Sequence, residues 1–120
     1  MNNYLSIITL NVNVLNAPIK RHRIAEWIRN HDPLICSLQE THLRTKNLHR
    51  LKVKGWKQIF QANGQEKKAG AAILISDKID FIKMAIKKDP EDHFIILKGR
   101  IHQEVINIVN IYAPNIGAPK

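Results

Sequence analysis

Two nearly continuous apolar segments near the start of the chain constrain its fold more than any other feature. Residues 4–11 and residues 34–39 are both rich in leucine and isoleucine. Continuous apolarity is typical of β-strands that are covered on both faces. The segment between them has the spacing of a helix, and a strand, a helix and a strand form a βαβ unit with parallel strands. The chain is therefore expected to have an α/β fold.

The segment between these strands predicts an amphipathic helix. Its apolar residues recur at intervals of three and four and share one face: Ile24, Trp27, Ile28 and His31. Asn16 is placed to act as the N-cap, and Pro18 suits the first helical turn. Pro33 is expected to end the helix, because proline has no backbone N–H to continue it.

The rest of the chain predicts strands joined by short connections. A helical turn is expected at residues 47–51, and turns rich in polar residues separate the apolar segments, as in hairpins. The expected strands are Lys57–Gln61, Gly70–Ile75, Phe81–Ile86, His93–Gly99 and Val105–Tyr112. Because hairpin strands are antiparallel, the sheet should be mixed, parallel at one end and antiparallel beyond it.

Length and composition restrict the class of protein. The 120 residues are 44% hydrophobic and 24% charged, which suits one globular domain rather than a disordered chain. Cys36 is the single cysteine, so no internal disulfide can form and a reducing compartment is favoured. The longest apolar run, residues 69–75, is too short to span a membrane, and the start lacks the features of a signal peptide. We expect a nuclear or cytoplasmic protein that is not secreted and has no membrane partner, and its oligomeric state is left open.

Positive charge is concentrated in one stretch of the sequence. The formal net charge is +9, and residues 41–69 contribute +7 of it, with eight cationic side chains against Glu66. A second basic run, residues 20–23, opens the helix. This concentration favours a polyanionic partner, most simply nucleic acid, although a solvated face is the alternative. The residues expected to contact nucleic acid are His42, Arg44, Lys46, Arg50, Lys67 and Lys68.

Polar residues lie where three of the predicted strands end. Asn11, Glu40, Tyr112 and Asn115 are at or just beyond carboxyl ends of strands, where α/β sheets bind ligands. If these strands are neighbours, the four side chains converge on one rim. Glu40 either binds a hard cation such as Mg²⁺, with Asn11 orienting it, or is a glutamate satisfied by other contacts at the rim. Tyr112 taken alone is more often a packed aromatic residue than a phosphate ligand.

Three ordered motifs resemble the endonuclease/exonuclease/phosphatase superfamily. They are Leu10-Asn11-Val12-Asn13, Ile35-Cys36-Ser37-Leu38-Gln39-Glu40-Thr41 and Asn110-Ile111-Tyr112-Ala113-Pro114-Asn115. Strings at residues 19–23, 61–64, 67–70 and 76–78 resemble one branch of it. That branch is the apurinic-type endonuclease domain of the second open-reading-frame protein of LINE retrotransposons. The resemblance extends over nearly the whole chain.

The resemblance implies a fold, an activity and a set of site residues. The fold is a sandwich of two β-sheets flanked by helices. The activity is Mg²⁺-dependent hydrolysis of phosphodiester bonds in DNA, with Mn²⁺ as an alternative ion, as in exonuclease III-like enzymes of DNA repair. Glu40 is implied to bind the metal, with Asn13 near it and Asn11 supporting the metal and phosphate region. Tyr112 and Asn115 are implied to contact the scissile phosphate. A metal there polarises the phosphoryl oxygen and stabilises the leaving group.

The chain also departs from the family pattern. Val14 stands where the pattern has glycine, and a β-branched residue is strained by roughly 1–3 kcal/mol if the turn needs a positive φ. The later motifs Gly-Asp-Phe-Asn and Ser-Asp-His do not occur in the sequence, and none of the matched residues supplies a general base. We therefore expect residues 1–120 to be the N-terminal half of such a domain, a truncated two-sheet sandwich that includes a mixed sheet.

This departure leaves two alternatives to an active nuclease. One is a catalytically inactive fragment that binds nucleic acid, and the other is a non-functional remnant of a retroelement.

We also expect this chain to supply one sheet, so that the apolar strands at residues 5–10, 34–38 and 71–75 lack a cover on one face. Exposing about 1,000 Å² of apolar surface forfeits roughly 25 kcal/mol, more than the ~5–15 kcal/mol net stability of a typical domain. The isolated chain is then expected to be loosely folded or to aggregate, and to nick DNA at the same rate as its Glu40→Ala variant.

Overall fold

Seven strands, one α-helix and one 3₁₀ helix are found in the described part of the chain. The computed structural model describes residues 5–62, 70–89 and 94–111. In chain order the elements are β1 (Ile7–Asn11), α1 (Pro18–His31), β2 (Ile35–Gln39), the 3₁₀ helix (Thr45–Arg50), β3 (Gln58–Ala62), β4 (Ala71–Ile75), β5 (Phe81–Lys88), β6 (Phe94–Ile101) and β7 (Glu104–Ile111). Each predicted strand and the predicted helix is therefore present. The strand β5 runs two residues further than expected, to Lys88 instead of Ile86.

The first four strands form a mixed sheet in the order β1-β2-β4-β3. The strands β1 and β2 are parallel, with Ile7 opposite Ile35 and Asn11 opposite Gln39. The strand β4 runs antiparallel to both β2 and β3. This arrangement confirms the βαβ unit and the mixed sheet that the sequence predicts.

The last three strands form a second, antiparallel sheet in the order β5-β6-β7. The truncated two-sheet sandwich that the family resemblance implies is therefore confirmed, and the expectation that the chain supplies a single sheet is wrong. The two sheets pack face to face, as β4 shows by burying all five of its residues. Ala72 and Leu74 belong to one core cluster together with Ala25 and Ile28 of α1. Alternate β4 residues belong to the other cluster, with residues of the second sheet: Ala71, Ile73, Ile75, Ile95, Leu97 and Ile108.

The strands of the first sheet differ in whether both of their faces are buried. Residues 35–38 of β2 are all buried, as is the whole of β4. In β1 the side chains alternate between exposed and half-buried, and Ile7 is 54% exposed. The expectation of missing cover is thus wrong for β2 and β4. The expectation that β1 is covered on both faces is also wrong, because β1 lies at the edge of the sheet and the second sheet packs over β2 and β4.

The helix α1 begins differently from the prediction. Its N-cap is Ala17, which makes no capping hydrogen bond through its side chain, and Pro18 occupies the first turn as expected. Asn16 is therefore not the N-cap, and its side chain bonds to other segments instead. The helix ends at His31, with Asp32 at φ 50° as the C-cap. Among the described residues there is no helix that could cross a membrane.

Candidate functional site

The parallel strands β1 and β2 end side by side and bring two predicted site residues together. Asn11 is the last residue of β1 and pairs with Gln39, the last residue of β2. Glu40 follows directly, and the Asn11 side-chain amide donates a hydrogen bond from Nδ2 to Glu40 Oε2. The amide thus orients the carboxylate at the rim of the sheet, where ligands of α/β proteins bind.

Backbone hydrogen bonds hold the loop after β1 against the loop after β2. The N–H of Val14 donates to the carbonyl of Glu40 at 2.8 Å, and the N–H of Leu15 donates to the carbonyl of Thr41 at 2.8 Å. Leu15 is fully buried and fixes this loop in the core beneath α1. The backbone of Glu40 is therefore held from the side of β1 as well as by its own strand.

Val14, which stands where the family pattern has glycine, lies in the loop after β1 and has a positive φ. Asn13 has φ 47° and Val14 has φ 74°. A β-branched residue is strained in this region, whereas glycine is not. The N–H of Asn13 donates to Asn11 Oδ1 at 3.1 Å, and Lys20 Nζ donates to the Asn13 carbonyl at 2.5 Å. Asn13 thus contributes backbone contacts that orient Asn11.

A glycine at the start of β4 supports the loop that carries Glu40. Gly70 has φ 76°, and a Cβ on it would lie 2.7 Å from Thr41 Oγ1. Thr41 is buried next to Glu40. Both the backbone conformation and the space at this position require glycine. The close approach of Gly70 to Thr41 therefore holds the loop that carries Glu40 against the start of β4.

Hydrogen bonds between the two sheets bring the end of β7 to the same rim. Asn110 is 2% exposed and donates from Nδ2 to the carbonyls of Leu38 at 3.1 Å and Ala72 at 3.4 Å. Gln39 Nε2 donates to Asn110 Oδ1 at 3.2 Å and to the carbonyl of Ile111 at 2.7 Å. The end of the last strand is therefore joined to the end of β2. Four predicted site residues lie outside the described residues: Lys67, Lys68, Tyr112 and Asn115.

The donor groups at the rim suit a hard cation held by one carboxylate. Glu40 Oε1 lies 3.8 Å from His42 Nε2, and the Glu40 side chain is 21% exposed. In residues 5–62, 70–89 and 94–111, no three His, Cys, Asp or Glu side chains cluster in a way that could hold a metal ion. Mg²⁺ is commonly bound through one or two carboxylates, with water and substrate phosphate as the other ligands. Glu40 fits that pattern, and the donor set does not fit a structural zinc site.

A cationic cleft lies beside this rim, between the start of α1 and the 3₁₀ helix. It has a volume of about 560 Å³. The predicted residues Arg44, Lys46 and Arg50 line it. Its other lining residues, which are not among the site residues predicted from the sequence, are Asn16, Ala17, Pro18, Arg21 and Asn47. Arg21 belongs to the basic run at the start of the helix, and that run is the sequence signal that could have identified it.

Asn16 connects the two walls of this cleft. Its Nδ2 donates to the carbonyl of His42 at 2.7 Å. Its Oδ1 accepts hydrogen bonds from the N–H of Arg44 and from Asn47 Nδ2, both at 3.2 Å. The positions of the basic residues on the 3₁₀ side are therefore tied to the loop that leads into α1.

Three further lysines of the basic segment, all within the described residues, lie at the other end of the sheet. Lys52, Lys54 and Lys57 line a groove of about 400 Å³ with Val53, Trp56 and Ile59. Trp56 Nε1 donates to the carbonyl of Pro33 at 2.9 Å, just before β2 begins. The groove is thus at the amino end of β2, whereas Glu40 is at its carboxyl end. The structure divides the single basic segment of the sequence between two surfaces.

Comparisons with known proteins agree with this architecture. Residues 8–117 match the model of the Endonuclease/Exonuclease/phosphatase family. A truncated TDP2 from Caenorhabditis elegans superposes with a TM-score of 0.68 at 22% identity, over 89% of this chain and 45% of that one. TDP2 from D. rerio complexed with single strand DNA product gives 0.70 at 15% identity, over 97% and 49%. An AP endonuclease from Archaeoglobus fulgidus gives 0.62 at 22% identity, over 93% and 42%. The chain therefore shares this two-sheet fold and spans less than half the length of these three structures.

Proposed function

The chain belongs to the endonuclease/exonuclease/phosphatase family, and on that premise we propose that it supplies the metal-binding part of a DNA phosphodiester hydrolase. The observation that carries the proposal is the contact between Asn11 and Glu40 where the parallel strands β1 and β2 end. This contact orients a partly exposed carboxylate at the rim, and the two residues stand in the first two motifs that resemble the family. The D. rerio neighbour, complexed with single strand DNA product, supports DNA as the partner.

Each residue of the rim has a proposed role. Glu40 would hold Mg²⁺, or Mn²⁺ in its place, and Asn11 would keep the Glu40 carboxylate turned toward the rim. When bound, the ion supplies Lewis-acid stabilisation of charge on the phosphate and the leaving group. Asn13 acts through its backbone, because its N–H holds Asn11 Oδ1. The motif that contains Tyr112 and Asn115 gives these residues the role of contacting the scissile phosphate.

The matched residues do not form a complete catalytic site. Glu40 is the one carboxylate among them, and no residue of the three motifs acts as a general base on the attacking water. We therefore propose that residues 1–120 correspond to the N-terminal half of the family domain, and that hydrolysis needs groups this sequence does not contain. The branch-specific strings favour the apurinic-type LINE endonucleases within the family, acting in the nucleus or cytoplasm.

Nucleic-acid binding without cleavage is the second candidate function. The observation that favours it is the cationic cleft beside the rim, which four cationic side chains line. Binding to phosphates requires no general base, so this function is open to the 120-residue chain even where hydrolysis is not.

Nicking of supercoiled plasmid with Mg²⁺ tests the proposed hydrolysis. We compare wild type with Glu40→Ala, and with Glu26→Ala as a matched control because Glu26 is an exposed carboxylate on α1. We expect wild type and Glu40→Ala to nick at the same rate, since the general base is missing. Nicking by wild type and Glu26→Ala that Glu40→Ala abolishes would instead show that this chain is a sufficient hydrolase.

Calorimetric titration with Mg²⁺ tests the role of Glu40 separately from catalysis. We expect weak binding by wild type, since a single carboxylate supplies the charge, and the loss of this binding in Glu40→Gln. Equal affinity in the two proteins would remove Glu40 from the metal site and with it the proposed function.

A further inference from the structure

We propose that two copies of this chain pair reversibly through the free edge of β7, residues 105–109, and extend the second sheet to six strands. In the part of the chain that the structure describes, β7 is the last strand of this sheet and has a neighbouring strand, β6, on one side only. Hydrogen-bonded and non-hydrogen-bonded residue pairs alternate along an antiparallel ladder, so every second residue of β7 directs its N–H and C=O away from β6. The pairing uses neither Asn11 nor Glu40, so it is independent of the proposed function.

The strand β7 lacks the features that keep edge strands from pairing. Edge strands are commonly protected by being short, by charged side chains, especially lysine, or by a bulge that twists the edge away. All eight residues of β7 pair with β6 in an unbroken register, and the one charged side chain among them is that of Glu104 at the start. The other seven residues are valine, isoleucine and asparagine. The free edge is therefore long, regular and uncharged.

The opposite edge of the same sheet has the protection that β7 lacks. The strand β5 carries three lysines, and its register against β6 shifts between Lys83 and Ala85. The edge strands of the first sheet, β1 and β3, have five residues each, whereas β7 has eight. Pairing through β7 therefore ends at a dimer, because β5 of each copy does not offer an edge for further growth.

Exposed apolar side chains extend along the outer face of the sheet to the free edge. Val105 is 47% exposed, Val109 49% and Ile111 60%. On β6, the half-buried Ile96 lies opposite Val109, and the half-buried Phe94 lies opposite Ile111. A further strand beside β7 would cover part of this apolar strip as well as satisfy the backbone groups of the edge.

A second copy of the chain fits this edge because the edge is self-complementary. An antiparallel, two-fold pairing centred on Ile108 places Val105 opposite Ile111 of the second copy and Asn107 opposite Val109. No charged side chains face each other between residues 105 and 111 in this register. The lysines of β5 then lie at the two far edges of the six-stranded sheet, where repulsion between the copies is weakest.

The size of the interface sets the expected affinity. One pair of eight-residue strand edges is a small interface compared with the roughly 1,200–2,000 Å² that stable complexes bury. We therefore expect a reversible dimer with a dissociation constant on the order of micromolar.

Sedimentation equilibrium of the 120-residue chain, over protein concentrations from about 1 μM to 1 mM, tests the proposal. We expect a monomer–dimer equilibrium in wild type. Val109→Lys should raise the dissociation constant about tenfold or more, because two like charges meet near the two-fold axis. The matched control is Met84→Lys, which adds the same charge on β5 at a side chain that is 45% exposed. We expect that control to dimerise within about twofold of wild type.

A second variant keeps the proposal testable if Val109→Lys fails to fold. Val105 lies opposite Arg100 of β6, so Val105→Glu gains a partner of opposite charge within its own sheet. In the dimer the same carboxylate would lie against Ile111 of the second copy, and we expect the dissociation constant to rise about tenfold.

Two results of the sedimentation experiment would overturn the proposal. One is a wild-type monomer at every concentration, or a dimer that neither β7 variant weakens. The other is equal weakening by Met84→Lys, because that result would indicate that the outer faces of two sheets stack and that their edges do not pair.

Amide hydrogen exchange identifies the edge itself. In the monomer, the β7 amides that point away from β6 exchange rapidly, whereas the alternate amides are protected in monomer and dimer alike. We expect the edge amides to exchange about tenfold more slowly at a concentration where about nine-tenths of the chains are dimeric. Protection of these amides that does not change with concentration would show that the edge is covered within one chain, and would also overturn the proposal.

Discussion

The four-stranded sheet carries positive charge at both of its ends, and the two ends are built differently. At the carboxyl end of β2, cations surround a cleft whose walls are joined by polar side chains, beside the carboxylate of Glu40. At the amino end, three lysines surround an apolar groove over Trp56. Charge that is continuous in the sequence is therefore divided in space. Among the described cations of this segment, only those at the carboxyl end lie beside groups that can bind a phosphate or a metal.

The backbone shows the same difference. Positive φ at residues other than glycine is concentrated around the carboxyl end, with four such residues against Asp32 alone at the described amino end: Asn13, Val14, Glu40 and His42. At the amino end, the N–H of Lys57 donates to Asp77 Oδ1 at 2.9 Å and the N–H of Asp77 donates to the carbonyl of Gly55 at 2.8 Å. Strained backbone concentrates at functional sites, whereas closed hydrogen bonding stabilises a fold. We infer that the amino end stabilises the protein and the carboxyl end binds ligands.

The largest effect is expected from Trp56→Ala. Trp56 is 4% exposed and packs in the core cluster beneath α1. Truncation should lower the free energy of unfolding by about 3–5 kcal/mol, through lost burial and the cavity left behind. Urea denaturation measures this change, with the half-buried Trp27→Ala as a control of smaller effect. A change of stability below about 1 kcal/mol would contradict a structural role for the amino end.

A comparison of two charge-matched triple variants tests which end binds nucleic acid. Replacing Arg21, Lys46 and Arg50 by glutamine should weaken oligonucleotide binding about a hundredfold at low salt, because three phosphate contacts are lost. Replacing Lys52, Lys54 and Lys57 by glutamine removes the same charge from the amino end and should change the affinity less than about threefold. Equal losses in the two proteins would show that net charge, and not the built cleft, determines binding.

The pH dependence of stability that Cys36 causes tests whether the core between the two ends is intact. Cys36 is fully buried on β2, and burial raises the pKa of its thiol from the ordinary value of 9.0 to about 12. The unfolded chain loses this proton first as the pH rises above 9, so folding becomes less favourable from pH 9 toward pH 12. Raising the pH from 9 to 10 should lower the stability of wild type relative to Cys36→Ala by about 1 kcal/mol. Parallel pH profiles of the two proteins would show that the thiol is exposed.

Val14→Gly is expected to have the smallest effect, with the opposite sign. At φ 74°, valine is strained by roughly 1–3 kcal/mol, and the entropy that glycine adds to the unfolded chain offsets part of this. The net result should be a gain of about 1 kcal/mol in stability, measured by urea denaturation. Val105→Gly, at an exposed position of β7 where φ is not positive, should be destabilising. A loss of stability in Val14→Gly would mean that the positive φ is not strained.

Local sequence patterns were sufficient to predict the elements but not their assignment to sheets. The alternation and apolar runs that mark β1 to β7 depend on neighbouring residues, so they can be read directly. The separation of β5–β7 into a second sheet depends on packing against β4, far away in the sequence. No local pattern contains that information, and the expectation of one sheet was wrong for this reason.

The site was predicted where it depends on strand direction and missed where it depends on distant side chains. The meeting of Asn11 with Glu40 follows from two parallel neighbouring strands that end together. Asn16 has the local features of an N-cap, yet its partners are His42, Arg44 and Asn47, more than twenty residues away. Likewise, no local pattern around Asn110 indicates that its side chain donates hydrogen bonds to the carbonyls of Leu38 and Ala72.

We propose that the joined ends of β1 and β2 hold a divalent cation through Glu40. Paramagnetic broadening of amide NMR signals by Mn²⁺ tests it most directly, since the effect depends on distance from the ion and requires no catalysis. We predict that substoichiometric Mn²⁺ broadens the signals of Asn11, Asn13 and Glu40 first in wild type, and that Glu40→Gln loses this broadening. The same broadening in both proteins, or broadening centred on another part of the chain, would contradict the account.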